Sequence, residues 1–246
     1  MKLINEISGP NLRERILLKD RDYRLLRVMS EQQVLSMLQI RKYFFDGLSD
    51  SPAYRRMRKM LSYGLVRQLQ LVSESGASLW STTPLGRSYG LRGCHYNVCP
   101  LSSLNPKELE HTLELTDCRF QIEKLWSGIF YPESTIGERR WTHKPDGVFQ
   151  FPDNRLLPIE LERSNKGYER LKKILGIWEE TKGIQHVLYI ALNEELKRVV
   201  LNTARQGSPQ YKVIVTTIEN LAEVSPEGET LRGPIKLKSL AGTHEH

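Results

Sequence analysis

The stretch Lys144-Pro145-Asp146-Gly147-Val148-Phe149-Gln150-Phe151, followed by Pro152-Asp153-Asn154-Arg155 and then Leu156-Leu157-Pro158-Ile159-Glu160-Leu161-Glu162-Arg163, decides how this chain is read. Two apolar-rich runs flank four turn-forming residues, a pattern that predicts two short strands and a connecting turn. Side chains alternate across a strand, so Glu160 and Glu162 share one face while Ile159 and Leu161 take the other. Two rises of about 3.3 Å put the two glutamate Cα atoms about 6.5–7 Å apart. Neighbouring carboxylates repel, and a divalent cation between them removes that cost. The turn returns Asp146 to the pair. Three acidic groups on adjacent strands make a hard oxygen site for Mg²⁺ or Mn²⁺, of the kind that serves phosphodiester cleavage.

Hairpin register tests this expectation. A two-residue loop at 153–154 sets Asp146 opposite Leu161, on the wrong face. A three-residue loop, or one bulge, is expected to set it opposite Glu162, on the right face. The competing reading of the same residues is a solvated acidic strand face, common on alternating sheets.

The surrounding chain gives the hairpin a context. After it, 164–180 reads as a helix with Tyr168, Leu171, Leu175 and Trp178 on one face. The continuous apolar run 186–192 marks a buried strand. Residues 193–204 begin with a cap and two glutamates and read as a helix, and 211–217 is a β-branched strand that closes the sheet. Before the hairpin, Pro106 to Trp126 reads as a long helix, Gly128 to Tyr131 as a strand or loop, and Glu138-Arg139-Arg140 as a basic segment. This order implies a mixed sheet with helices on both faces. The tail from Ser225 is poorly patterned and reads as peripheral.

Charge is uneven along the chain. Of 36 Lys/Arg and 29 Asp/Glu, residues 1–100 hold 16 and 8, a net of +8, and residues 101–246 hold 20 and 21, a net of −1. The first part therefore carries the footprint of a polyanion binder. Helical spacing covers 22–29 after the potential cap Asp22, and again 34–45. A turn at 46–50 precedes a third helix, with Ser51 as expected N-cap, Pro52 at its first position and Gly64 as its stop. Ala53, Met57, Met60 and Leu61 form its expected buried stripe, and Arg55, Arg56, Arg58 and Lys59 its basic faces. Two strand-like runs, 65–72 and 78–83, joined by Ser73-Glu74-Ser75-Gly76-Ala77, complete a winged helix-turn-helix pattern. A solvated basic face is the alternative for the third helix. We expect a winged-helix DNA-binding domain over 1–92, a linker over 93–106 and a catalytic domain over 107–246.

No apolar run approaches the roughly 20 residues of a membrane span, and the first residues lack the apolar core of a signal peptide. Three cysteines, an odd number, suit a reducing cytoplasm. Cys94, His95, Cys99 and Cys118 have no second Cys-x2-Cys pair to make a zinc set.

Pro145-Asp146-Gly147, Glu160-Leu161-Glu162 on the next strand and the lysine-bearing helix after it resemble the PD-(D/E)XK restriction-endonuclease-like core. The Asp22-Tyr-Arg-Leu-Leu-Arg-Val start, and the helix holding His111 and Asp117, resemble the replication-relaxation family. Together, over about residues 15–220, the chain is similar to MobC-type relaxases. The resemblance implies an α/β chain with a winged helix before a PD-(D/E)XK mixed-sheet core. It implies metal-dependent, strand-specific nicking of plasmid DNA at an origin of transfer, for mobilisation in conjugation. Asp146, Glu160 and Glu162 would be both catalytic residues and ligands of Mg²⁺ or Mn²⁺. The partners implied are duplex plasmid DNA at a specific site and accessory relaxosome or coupling proteins. The pattern puts Lys where this chain has Glu162, so its charge role passes to Arg163, Lys166, Lys172, Lys173 or a second metal. A winged-helix replication or transcription accessory protein on an inactive nuclease fold is the alternative, and a restriction or repair endonuclease a third. The relaxase class with a His-hydrophobe-His cluster and a tyrosine nucleophile fits poorly, since only His244 and His246 have that spacing. Tyr131 and Tyr168 lie nearest the motif, Tyr168 being expected to pack.

Overall fold

A computed structural model describes residues 6–8, 15–98, 106–137, 141–164, 167–207 and 212–242. The chain forms two compact units, Met1–Thr116 and Asp117–His246. The expected Glu138-Arg139-Arg140 segment, Cys99, Lys166, His244 and His246 lie outside the described residues.

In the first unit a hairpin of β1 (Glu6–Ser8) and β2 (Arg15–Leu17) precedes α1 (Asp20–Gln32), β3 (Leu35–Ser36), α2 (Met37–Phe44) and α3 (Asp50–Ser62). Then come β4 (Val66–Val72), β5 (Ser78–Thr82) and α4 (Pro84–Gly90), and β3, β5 and β4 form an antiparallel sheet in that order. Asp22 caps differently from expectation. It sits three residues inside α1, and its Oδ2 accepts the Lys19 backbone N–H at 2.8 Å. Ser36 and Gln39 close a reciprocal capping box on α2, each backbone N–H donating to the other's side chain at 3.2 Å. Helix α3 begins at Asp50 with Ser49 as N-cap, two residues earlier than the Ser-Pro pair suggests. It ends as expected, with Gly64 at φ +67° and Leu65 N–H donating to Met60 O at 3.0 Å. Ala53, Met57 and Met60 are buried, but Leu61 is 42% exposed and does not belong to the stripe.

Helix α4 covers residues to which the sequence pattern assigns no element. Its Pro and glycines serve packing rather than disorder. Thr83 caps it by accepting from Gly86 N–H at 3.1 Å, and Pro84 occupies its first turn. A Cβ on Gly86 would sit 1.8 Å from Leu65 O, and one on Gly90 2.5 Å from the Leu26 carbonyl carbon. Only glycine allows α4 to approach that closely.

Helix α5 (Pro106–Leu125) crosses from one unit into the next. Its first half belongs to the first unit, beyond the expected boundary at 92, because Leu109 and Leu113 pack with Val34 and Leu79. Gln39 Nε2 also donates to Leu113 O at 2.6 Å.

The second unit is built on a seven-stranded mixed sheet. Its elements are β6 (Ile129–Pro132), β7 (Gly147–Gln150), β8 (Leu156–Glu162), α6 (Tyr168–Glu180), β9 (Val187–Ala191), α7 (Glu194–Gln206), β10 (Val213–Thr217), α8 (Ile218–Leu221), β11 (Glu227–Thr230) and β12 (Gly233–Lys236). The strand order is β12-β11-β10-β9-β8-β7-β6. The run β6-β7-β8 is an antiparallel meander, β8-β9-β10 is parallel, and β10-β11-β12 is antiparallel again. The tail therefore does not lie apart from the sheet. Gly228 makes room there, since a Cβ would meet Ile214 Cγ2 at 2.6 Å.

One sheet face packs Val187, Tyr189, Val213 and Val215 against Leu171, Leu175 and Trp178 of α6 and Val200, Leu201 and Ala204 of α7. On the other, Phe149 meets Trp126, whose indole N–H donates to Leu237 O at 3.0 Å.

Candidate functional site

The β7–β8 turn is a three-residue loop, Pro152-Asp153-Asn154. Phe151 N–H donates to Arg155 O and Asn154 N–H to Phe151 O, both at 3.0 Å, with Asn154 left-handed at φ +65°. Proline has no N–H to give a strand pair, which favours Pro152 in the loop. The odd length puts Asp146 on the face of the two glutamates. The partner expected for it is corrected, however. The last pair is Gly147↔Ile159, so the next position sets Asp146 opposite Glu160 rather than Glu162.

Asp146 is held from two sides. Its carbonyl accepts Glu133 N–H at 3.0 Å, and its Oδ2 accepts Leu161 N–H at 2.7 Å, just past the end of the β7–β8 ladder. Gly147 beside it is required by the opposite face, where a Cβ would lie 2.5 Å from the Phe130 ring. These contacts account for the Asp-Gly pair at the strand start.

Glu160 and Glu162 are 5% and 4% exposed, so the solvated-face reading of this strand does not hold. Burying carboxylates is costly unless partners or an ion compensate. Along β9 the register sets Glu160 beside Tyr189 and Glu162 beside the small Ala191. Burial first, then the charges of Glu160 and Glu162, push the Tyr189 phenol well above its usual range. The Trp178 indole opposes that shift, and Asp146 adds to it.

His143 Nε2 lies 2.9 Å from Glu160 Oε1. Its ring stands edge-on to Trp178 at 5.6 Å between centroids, and Trp141 packs against the same indole at 5.8 Å. His143 is the residue that sequence reasoning overlooked. Among the basic residues expected near the site, Lys172 and Lys173 are exposed on α6, with Lys172 Nζ 5.6 Å from the Tyr168 ring centroid. Tyr168 itself is exposed rather than packed, and Tyr131 pairs with Val148 on β7.

The donor set is all oxygen and suits a hard divalent cation, and two of its carboxylates are buried on one strand face. Asp146, Glu160 and Glu162 would hold the ion. The fit is one of chemistry and of face. Among the described residues, no group of three or more His, Cys, Asp or Glu is gathered as a ready-made metal site.

In the first unit Arg55, Arg58 and Lys59 are exposed on α3. Arg56 is placed differently. It is 17% exposed, and its Nε and Nη2 donate to the fully buried Asp22 carboxylate at 3.0 and 2.6 Å. Nη2 also donates to Leu17 O at 2.8 Å.

No family model, curated protein or solved structure matches this chain.

Proposed function

We propose that this protein binds DNA through its first unit and nicks one strand with its second in a reaction that needs Mg²⁺ or Mn²⁺, as the resemblance to MobC-type relaxases implies. The observation that carries the proposal is the joint placement of Asp146, Glu160 and Glu162. Two carboxylates are buried side by side on an interior strand, and a third is tied to that strand through Leu161 N–H. Burial without a functional return is an expensive arrangement. The order of helix, three-stranded antiparallel meander, helix and parallel strand from α5 to β9 agrees with a PD-(D/E)XK core. The order α1, β3, α2, α3, β4, β5 supports a winged helix, with α3 as the helix that presents cations to DNA.

A bound divalent ion would supply Lewis-acid stabilisation of charge at the scissile phosphate. The chain's own residues would do the rest. Glu160 and Glu162 fix the ligand face, Leu161 N–H orients Asp146, and His143 with Trp178 restrains Glu160. The exposed Arg55, Arg58 and Lys59 would contact phosphates.

The second reading is an accessory DNA-binding protein on an inactive nuclease fold, which needs only the exposed cations of α3. Supercoiled plasmid incubated with the protein and Mn²⁺ separates the readings. A single-strand nick confined to the cognate plasmid supports the relaxase, double-strand cuts support a restriction or repair enzyme, and tight binding without cleavage supports the accessory protein.

A further inference from the structure

We propose that a cleft between α1 and the end of α4 binds a nucleotide whose base is unpaired, stacking the base on tyrosine and holding the phosphate with arginine. The cleft measures about 560 Å³, and its lining includes Tyr23, Arg24, Arg27, Tyr89, Gly90 and Arg92. Pockets of several hundred Å³ enclose ligands of nucleotide size.

The cleft follows from the helix crossing. Gly90 brings α4 within backbone contact of Leu26 and Arg27, so the side chains flanking that contact splay outward. Tyr89 on one helix and Tyr23 on the other are both half-buried there, close enough for the Tyr89 phenol to act on that of Tyr23. Arg92 lies close enough to Tyr23 to act on it electrostatically. Arg27 is fixed in advance, its Nε bonded to Glu31 Oε1 at 2.9 Å and to Tyr96 OH at 3.1 Å, while Tyr96 OH also donates to Glu31. Arg24 and Arg92 are exposed at the mouth. Three guanidinium groups face two carboxylates, Glu31 and the lining Asp20, so the cleft stays cationic.

Rings beside arginines are the components of a base-stacking platform with a phosphate contact. A simple anion would not need the rings. Duplex bases are already stacked and cannot enter, which limits the ligand to a free nucleotide or a nucleotide within a single strand. The proposal stands on this cleft alone and not on the acidic site.

The test is fluorescence anisotropy on the full chain, with labelled oligodeoxythymidine and a fluorescent adenosine triphosphate analogue as separate probes. Loss of one stacking ring, Tyr23→Ala or Tyr89→Ala, should weaken binding about fivefold or more. Tyr89→Phe should bind as the wild type does. Arg92→Glu, at an exposed position, should weaken binding and flatten its salt dependence whether or not ring removal disturbs folding. The probe that responds identifies the source of the nucleotide. Arg55→Ala combined with Arg58→Ala should lower duplex affinity and leave both probes unchanged. Neither probe binding the wild type, or Arg92→Glu binding both within twofold of it, would overturn the proposal.

Discussion

Arg56 of α3 reaches across to Asp22 of α1 and donates two hydrogen bonds to a carboxylate that is wholly buried. The fork geometry is the strong bidentate form. Arg56 is therefore a strut between helices, although the nearby cations Arg55, Arg58 and Lys59 face solvent.

The strut predicts a division among four adjacent cations. Arg56→Ala leaves Asp22 buried without its counterion and should lower the stability of the first unit by about 3–5 kcal/mol. Arg55→Ala and Arg58→Ala should change stability by about 0.5 kcal/mol or less while weakening duplex DNA binding by about 1 kcal/mol per contact. Denaturant melts and DNA titrations of the three variants check this. A stable Arg56→Ala protein would remove the structural role.

Asp146 should separate folding from activity. Asp146→Asn keeps an oxygen for Leu161 N–H but loses the charge, so it should melt near the wild-type temperature and fail to nick. Asp146→Ala also leaves the amide without its partner and should cost about 1–3 kcal/mol more. Nicking by Asp146→Asn at the wild-type rate would exclude Asp146 from the metal ligands.

Glu162 occupies the place of the usual lysine, and two substitutions define its role. Glu162→Gln removes one of two buried like charges, so without metal it should raise the melting temperature by a few degrees, the equivalent of about 1 kcal/mol. Glu162→Lys should abolish nicking and weaken Mn²⁺ binding if Glu162 is a ligand. Unchanged Mn²⁺ affinity with faster cleavage in Glu162→Lys would show that it only fills the position.

His186 gives a pH signature. Partial burial first, then Arg155 and Lys212, depress its pKa below the ordinary 6.5. A depressed folded value means that the unfolded chain binds the proton more readily. The contribution is complete above about pH 6.5 and is lost as pH falls through the folded pKa. The group is half-exposed, so the effect should be small. His186→Gln should narrow the difference in melting temperature between pH 7 and pH 5.5, and an unchanged difference would contradict this.

Local chemistry explains which parts of the fold could be read in advance. The hairpin, the α3 stop at Gly64 and the strand 187–191 rest on turn residues and apolar runs that act over a few positions. The neighbour of Asp146 was misjudged because it depends on whether Pro152 pairs, and a shift of two residues along β8 keeps the same face. Helix α4 was missed because Gly86 and Gly90 look like loop residues until Leu65 and Leu26 are known to press against them. The cations of α3 mislead in another way. Arg56 and Arg58 are alike in sequence, and only the buried Asp22, on another helix, separates them. His143 has no spacing signal of its own and becomes visible only when the fold sets it beside Glu160. Long-range partners of this kind are beyond periodicity and turn chemistry.

Equilibrium binding of Mn²⁺, followed by electron paramagnetic resonance, tests whether Asp146, Glu160 and Glu162 hold a divalent cation. Free Mn²⁺ gives a sharp signal that binding removes, so the measurement does not depend on knowing the DNA target. Saturable binding to the wild-type chain is expected, with at least about a tenfold loss of affinity in Glu160→Gln, in Glu162→Gln and in Asp146→Asn, each still folded. Absence of saturable binding to the wild type, or wild-type affinity in all three variants, would contradict it.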